Sequence, residues 1–123
     1  MFVVSVLSCQ NKHLNRVLIL SSGNKLWQLD EPKKNLHGSF TYYRFEENGK
    51  WVIYIKNRED KLHRNEIDDI VLMESWKLIG DSVINVGGYN YQLKKLNDTI
   101  LNYCDPQGSY CVKLKFKGDK LPD

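Results

Sequence analysis

A chain of 123 residues with a formal net charge of +3 and 27% charged residues has the length and composition of one globular domain. Its Lys and Arg residues form no cluster dense enough for nucleic acid, and no apolar stretch approaches the ~20 residues of a spanning helix. Alanine is absent, while Tyr, Ile, Val and Trp are plentiful. Without the best helix former and rich in β-branched and aromatic residues, the chain reads as all-β.

The chain opens MFVVSVLSCQ. An apolar run ends in Val6-Leu7-Ser8-Cys9, the pattern at which bacteria cleave a signal peptide and attach lipid to the cysteine. Residues 1–8 then read as part of a lipoprotein signal peptide, with Cys9 the lipidated first residue of the mature protein. No Lys or Arg precedes the run, as an n-region requires, so Met1 reads as an internal methionine with the start codon upstream. The other reading is a buried strand with Cys9 as a core thiol. The polar residues Gln10-Asn11-Lys12-His13 favour a tether. Lipid on Cys9 would hold the protein to a bacterial membrane and place it in the cell envelope, facing the periplasm or the exterior. Residues 9–24 form the tether and lead-in, with a short helix or strand over 16–20.

From residue 25 onward short strands recur at barrel-like spacing: 25–30, 39–46, 50–57, 69–79, 82–86, 89–96, 99–104 and 110–117. Asn48-Gly49 signals a two-residue type I′ turn, which pairs Glu47 with Lys50 and Tyr43 with Tyr54. Phe40, Tyr42 and Arg44 then share a face with Trp51, Ile53 and Ile55, and the opposite face carries Tyr43, Phe45, Val52 and Tyr54. Gly87-Gly88 fits a second two-residue turn, with Ile84 opposite Tyr91 and Ser82 opposite Leu93. At Gly80-Asp81 and Asn97-Asp98 the apolar faces match only across three-residue loops. In the last hairpin, Cys104 opposite Cys111 puts Tyr103, Leu101 and Thr99 against Val112, Leu114 and Phe116 on one inner face. Because a one-residue slip flips every side chain, this sorting fixes the register. Residues 58–68, long and highly charged, read as a solvent-exposed loop.

The three cysteines divide into Cys9 for lipid and Cys104 with Cys111 for a disulfide, favoured outside the cytoplasm. Free thiols are the alternative. A metal site is disfavoured because no histidine lies near them.

The segments KLWQL, YYRFEENGKW, WKLIGDSVINV and YQLKKLNDTIL resemble the small lipocalin-like lipoproteins common in Bacteroidota. The resemblance rests on Trp27, on Phe45 before Asn48-Gly49, and on the strand from Tyr91 to Leu101. It implies an eight-stranded antiparallel up-and-down (lipocalin-like) barrel over residues 25–123 and supports the anchor. It implies no catalytic residues. The Cys104–Cys111 pair departs from the general pattern.

No HExxH, GxSxG or P-loop pattern occurs, His13, His37 and His63 are scattered, and no cofactor or metal is expected. Binding is therefore the better class than catalysis. An eight-stranded barrel is wide enough to be filled or to hold one small ligand, here hydrophobic or amphipathic and otherwise unspecified. Even-numbered residues 70–78 form an apolar face broken by Glu74. If that face and the Arg44 face both point inward, Tyr42, Arg44, Trp51, Glu74 and Trp76 are the candidate ligand-binding residues. Interior charges must be paired, so Arg44 and Glu74 would meet each other or a polar ligand. A β-bulge at Glu74-Ser75 that turns the carboxylate outward, or the opposite facing of the hairpin, is the alternative. An exposed aromatic strand face would instead suit a protein partner, as in a periplasmic inhibitor or a toxin-immunity protein.

Overall fold

The computed structural model describes residues 2–30, 40–56, 61–64 and 74–121, with side chains from Lys12 onward except that of His63. Among the described residues nine strands follow one α-helix, α1 (Phe2–Ser21). They are β1 (Trp27–Leu29), β2 (Phe40–Phe45), β3 (Lys50–Lys56), β4 (Leu62–Arg64), β5 (Glu74–Ile79), β6 (Val83–Val86), β7 (Tyr89–Leu96), β8 (Ile100–Cys104) and β9 (Cys111–Lys115). The strands pair antiparallel in the order β2-β1-β9-β8-β7-β6-β5-β3, and β2 also pairs with β3. That last pairing closes an eight-stranded up-and-down barrel, and β4 is an added strand on β3. Closure removes the exposed edges that invite aggregation.

β4 and β5 lie on the same side of β3. Tyr54 faces Arg64 and Lys56 faces Leu62, whereas Lys50 faces Ser75 and Trp51 faces Glu74. Partner numbers add to 118 for β4 and to 125 for β5, so the two registers are offset by seven residues. β4 falls within the stretch expected to be an exposed loop; residues 58–60 and 65–68 of that stretch and the predicted strand residues 69–73 lie outside the described residues.

Two expected registers are corrected. In the β2–β3 hairpin Phe45 faces Trp51 and Tyr43 faces Ile53, one residue away from the two-residue-turn pairing. A type I′ turn needs positive φ at both central residues. Gly49 has it (φ 90°) but Asn48 does not, so the loop takes three residues and closes with the Glu46 N–H donating to Lys50 O at 2.8 Å. Trp51, Ile53 and Ile55 therefore share a face with Tyr43 and Phe45, and Tyr42 and Arg44 go to the other. At Asn97-Asp98 the expected extra loop residue sits in the strand instead. Leu96 faces Leu101, the Asn97 N–H donates to Ile100 O, and a bulge between Leu93 and Lys95 restores the parity, so that Leu93 faces Tyr103. The Asn97 side chain accepts from the backbone N–H groups of Thr99 and Ile100, which stabilises the short turn.

The other hairpins follow the sequence. Ile84 faces Tyr91, and the Leu93 N–H donates to Ser82 O. Three residues separate the paired Ile79 and Val83. In β8–β9, Cys104 faces Cys111, Tyr103 faces Val112 and Leu101 faces Leu114. Cys104 and Cys111 form a disulfide with Cα atoms 4.0 Å apart. The inward residues Trp27, Phe45, Trp76, Leu78, Ile84, Leu101, Tyr103 and Leu114 make the core.

Of the alternatives expected for the lead-in, a tether, a short helix or a strand, the helix is what forms, and it is longer than residues 16–20: α1 is one continuous helix through Cys9 and residues 16–20. Its C-terminal turn enters the barrel. Leu20 is fully buried, and Val17 and Ile19 pack against the core. The last carbonyls of a helix lack internal partners, and here the barrel supplies donors. The Trp27 indole N–H donates to Leu20 O at 3.0 Å and the Lys25 ammonium to Ile19 O at 3.0 Å, while the Ser21 hydroxyl donates to Val17 O. The same ammonium lies 4.9 Å from the Phe116 ring centroid. Gly23 and Asn24, both at positive φ, stop the helix. Arg16 donates to Asp81 O in the β5–β6 turn. The helix thus seats at the end of the barrel that carries the β5–β6 and β7–β8 turns.

Two outcomes test this packing. Leu20→Ala leaves a cavity in the core and costs about 2–5 kcal/mol, read as a lower urea midpoint. Replacing Cys104 and Cys111 together by serine removes a short cross-link and costs about 2–3 kcal/mol, read the same way under non-reducing conditions.

Candidate functional site

At the opposite end, beside the β6–β7 turn and the β8–β9 loop, the interior opens into a cavity of about 190 Å³. Its walls are Tyr43 from β2, Trp51 from β3, Glu74 from β5, Tyr91 from β7, Tyr103 from β8 and Val112 from β9, with Val86 and Gly87 at the β6 end. Tyr89 and Tyr110 stand at the rim and are 71% and 57% exposed. Strand alternation explains the convergence. The register pairs Trp51 with Glu74, Ile84 with Tyr91 and Tyr103 with Val112, so these side chains share the inward face of neighbouring strands.

The aromatic walls brace one another. Tyr43 and Trp51 meet edge to face at 5.1 Å between centroids, and Tyr91 and Tyr103 sit 5.1 Å apart at 54°. Gly87 leaves room for this arrangement. A Cβ there would lie 3.0 Å from Glu74 Oε2 and 3.2 Å from Trp51 Cζ3, and its φ is +62°. The rim loop is held by Asp105, whose carboxylate accepts from the Ser109 hydroxyl and from the Tyr110 N–H. These hydrogen bonds, the Ser109 hydroxyl first, hold the Asp105 carboxyl below its ordinary range.

Electrostatically the cavity is acidic and hydroxylated. Among the described residues its lining contains one carboxylate, Glu74, and no Lys, Arg or His. Burial pushes the Tyr103 phenol well above its ordinary value, and the neighbouring Tyr43, Tyr91 and Tyr110 add to the effect. Tyr91 is also raised, first by burial and then by Tyr110, Tyr89, Asp105 and Glu74. Both phenols therefore remain hydroxyls, able to donate and accept, across the neutral range. The Trp51 Nε1–H is buried with no hydrogen-bond partner among the described residues. The other two tryptophans are satisfied, Trp27 by Leu20 O and Trp76 by Glu46 O.

The five residues picked from sequence separate. Trp51 and Glu74 line the cavity, and Glu74 is not turned outward by a bulge. Trp76 is buried in the core against Phe45, away from the cavity lining. Tyr42 and Arg44 are on the other barrel face, Tyr42 buried there. Arg44 does not meet Glu74; it donates to Asn24 Oδ1 at 3.0 Å and lies 3.5 Å from Glu46. The sequence reading missed the tyrosines as a group, although Tyr91 and Tyr103 already stood on the inner faces of the last hairpins. Among the described residues no group of three His, Cys, Asp or Glu side chains could hold a metal ion, and no helix is long and apolar enough to cross a membrane. Comparison with protein families, curated proteins and solved structures finds no match for this chain.

Two measurements check the site. Trp51→Phe removes an unsatisfied donor, whereas Trp76→Phe orphans a carbonyl; the second should cost about 1 kcal/mol more in chemical denaturation. Because the folded-state pKa of Tyr103 is raised, the unfolded chain releases a proton that the fold retains above the free-phenol value of ~10. That contribution to stability is complete below this pH and declines above it. Tyrosinate absorbance from Tyr103 should therefore appear together with unfolding in an alkaline titration.

Proposed function

We propose that this chain is a membrane-tethered, non-enzymatic binding protein of a bacterial cell envelope, whose barrel holds a small ligand in its open end. The observation that carries the binding reading is the cavity itself. One end of a closed barrel is packed around the helix, while the other keeps a polar-edged hollow walled by tyrosines from β2, β7 and β8. A concave, largely aromatic pocket with a few convergent polar groups is the usual form of a small-molecule site.

The anchor reading is supported by Val6-Leu7-Ser8-Cys9 and by the Cys104–Cys111 disulfide, which belongs in an oxidising compartment. On this reading α1 beyond Cys9 is a stalk. The eleven steps from Cys9 to the buried Leu20 rise about 16 Å at helical pitch, holding the barrel by its closed end and turning the cavity away from the bilayer. A second reading, a protein-interaction module, draws on the exposed rim rings Tyr89 and Tyr110, which a partner could cover.

Native mass spectrometry of the protein purified from its host membrane tests both parts. The expected species carries a lipid mass on Cys9 and retains a small molecule; a mature protein that keeps an unmodified Met1 would sink the anchor. Cys9→Ser should shift the protein from the membrane to the soluble fraction. A retained polypeptide in place of a small molecule would favour the interaction module.

A further inference from the structure

The chemistry of the cavity wall narrows the ligand. Four rings from four different strands, Tyr43, Trp51, Tyr91 and Tyr103, surround a space that also receives the Glu74 carboxylate. Among the described residues no cationic side chain lines it, so an anionic ligand would enter against Glu74 with none of them to compensate. A purely apolar ligand would strand the carboxylate in a partly desolvated wall. Aromatic rings attract cations through the negative potential of their faces, most strongly where water is excluded. Rings and a carboxylate around one hollow therefore complement positive charge. Size sets a second limit. A cavity of ~150 Å³ accepts benzene, so one of about 190 Å³ takes a compact headgroup rather than a long chain.

We infer that this cavity binds a small organic cation, a quaternary or alkyl ammonium group, seated among Tyr43, Trp51, Tyr91 and Tyr103 against the Glu74 carboxylate. This rests on the binding reading above and deepens it. Gly87 acquires a role, since it leaves Glu74 and Trp51 side by side in the wall. The rim rings Tyr89 and Tyr110 are placed to close over the cation once it is seated. The cation could come from a free ammonium compound or from a phosphorylated headgroup. The acidic lining favours the free compound, because an attached phosphate would face Glu74 and the ionised Asp105 at the rim.

The test uses the whole folded protein and isothermal titration with three probes. These are choline, its uncharged carbon isostere with tert-butyl in place of trimethylammonium, and phosphocholine. Choline should bind roughly tenfold or more tightly than the isostere, the scale of one desolvated cation–ring contact. Phosphocholine should bind more weakly than choline. Glu74→Gln should weaken choline by roughly tenfold and bind the isostere no more weakly than before. Tyr89→Ala, at an exposed position where folding is not at risk, should weaken choline by a smaller factor.

Equal affinity for choline and the isostere, or Glu74→Gln without effect on choline, would overturn the cation assignment. Phosphocholine binding more tightly than choline would overturn the free-ammonium source. A neutral molecule retained in the native mass spectrum would leave the binding reading standing and remove only the cation. If no small molecule is retained and no probe binds, both fail.

Discussion

The barrel depends on its shortest closing strand. β1 contributes only Trp27 to Leu29, yet it bridges β2 through Trp27–Tyr43 and Gln28–Tyr42, and β9 through Gln28–Lys115 and Leu29–Leu114. Trp27 concentrates the demands of this position. Its ring is fully buried and packs 6.0 Å from Phe116, and its indole N–H satisfies a helix carbonyl. One residue thus couples barrel closure to helix seating. Lys25 works beside it, joining the helix end to the Phe116 ring. The helix is held less by surface charge than by these capped carbonyls, since the Arg16–Asp81 ion pair is largely exposed on its acidic side and such pairs contribute little.

With one end filled by Leu20 and its neighbours, the inward rows at the other end need not be apolar throughout. There the residues become tyrosines and a glutamate, and packing gives way to a hollow. The disulfide belongs to this end as well. Cys104 and Cys111 immediately follow and precede the wall residues Tyr103 and Val112, so the covalent link holds two of the staves that shape the cavity.

The sequence revealed the fold wherever turn chemistry was unambiguous. Gly87 and Gly88 both accept positive φ, so their turn and the Ile84–Tyr91 pairing followed directly. The last hairpin followed from polarity alone, since only one register buries Leu101, Tyr103, Val112 and Leu114 together. Asn48-Gly49 misled because asparagine can adopt positive φ without being required to, and a single glycine in that state suits a three-residue loop equally well. The one-residue shift sent Tyr42 and Arg44 to the opposite face and brought Tyr43 to the cavity. The length of the helix was illegible for a different reason. Its stability comes from the docking of Val17, Ile19 and Leu20 and from distant donors, and none of these is a local property of a segment that begins with a β-branched run.

The offset of seven between the β4 and β5 registers has a consequence for how the chain can change. β5 is aligned by bonds of its own: the Trp76 N–H donates to Gly49 O and the Gly87 N–H to Ser75 O. β4 is aligned separately along Tyr54 to Lys56. Each strand is thus indexed on β3 by its own partners, so loss of the β4 pairing would leave the β3–β5 register, and with it the closure of the barrel, in place.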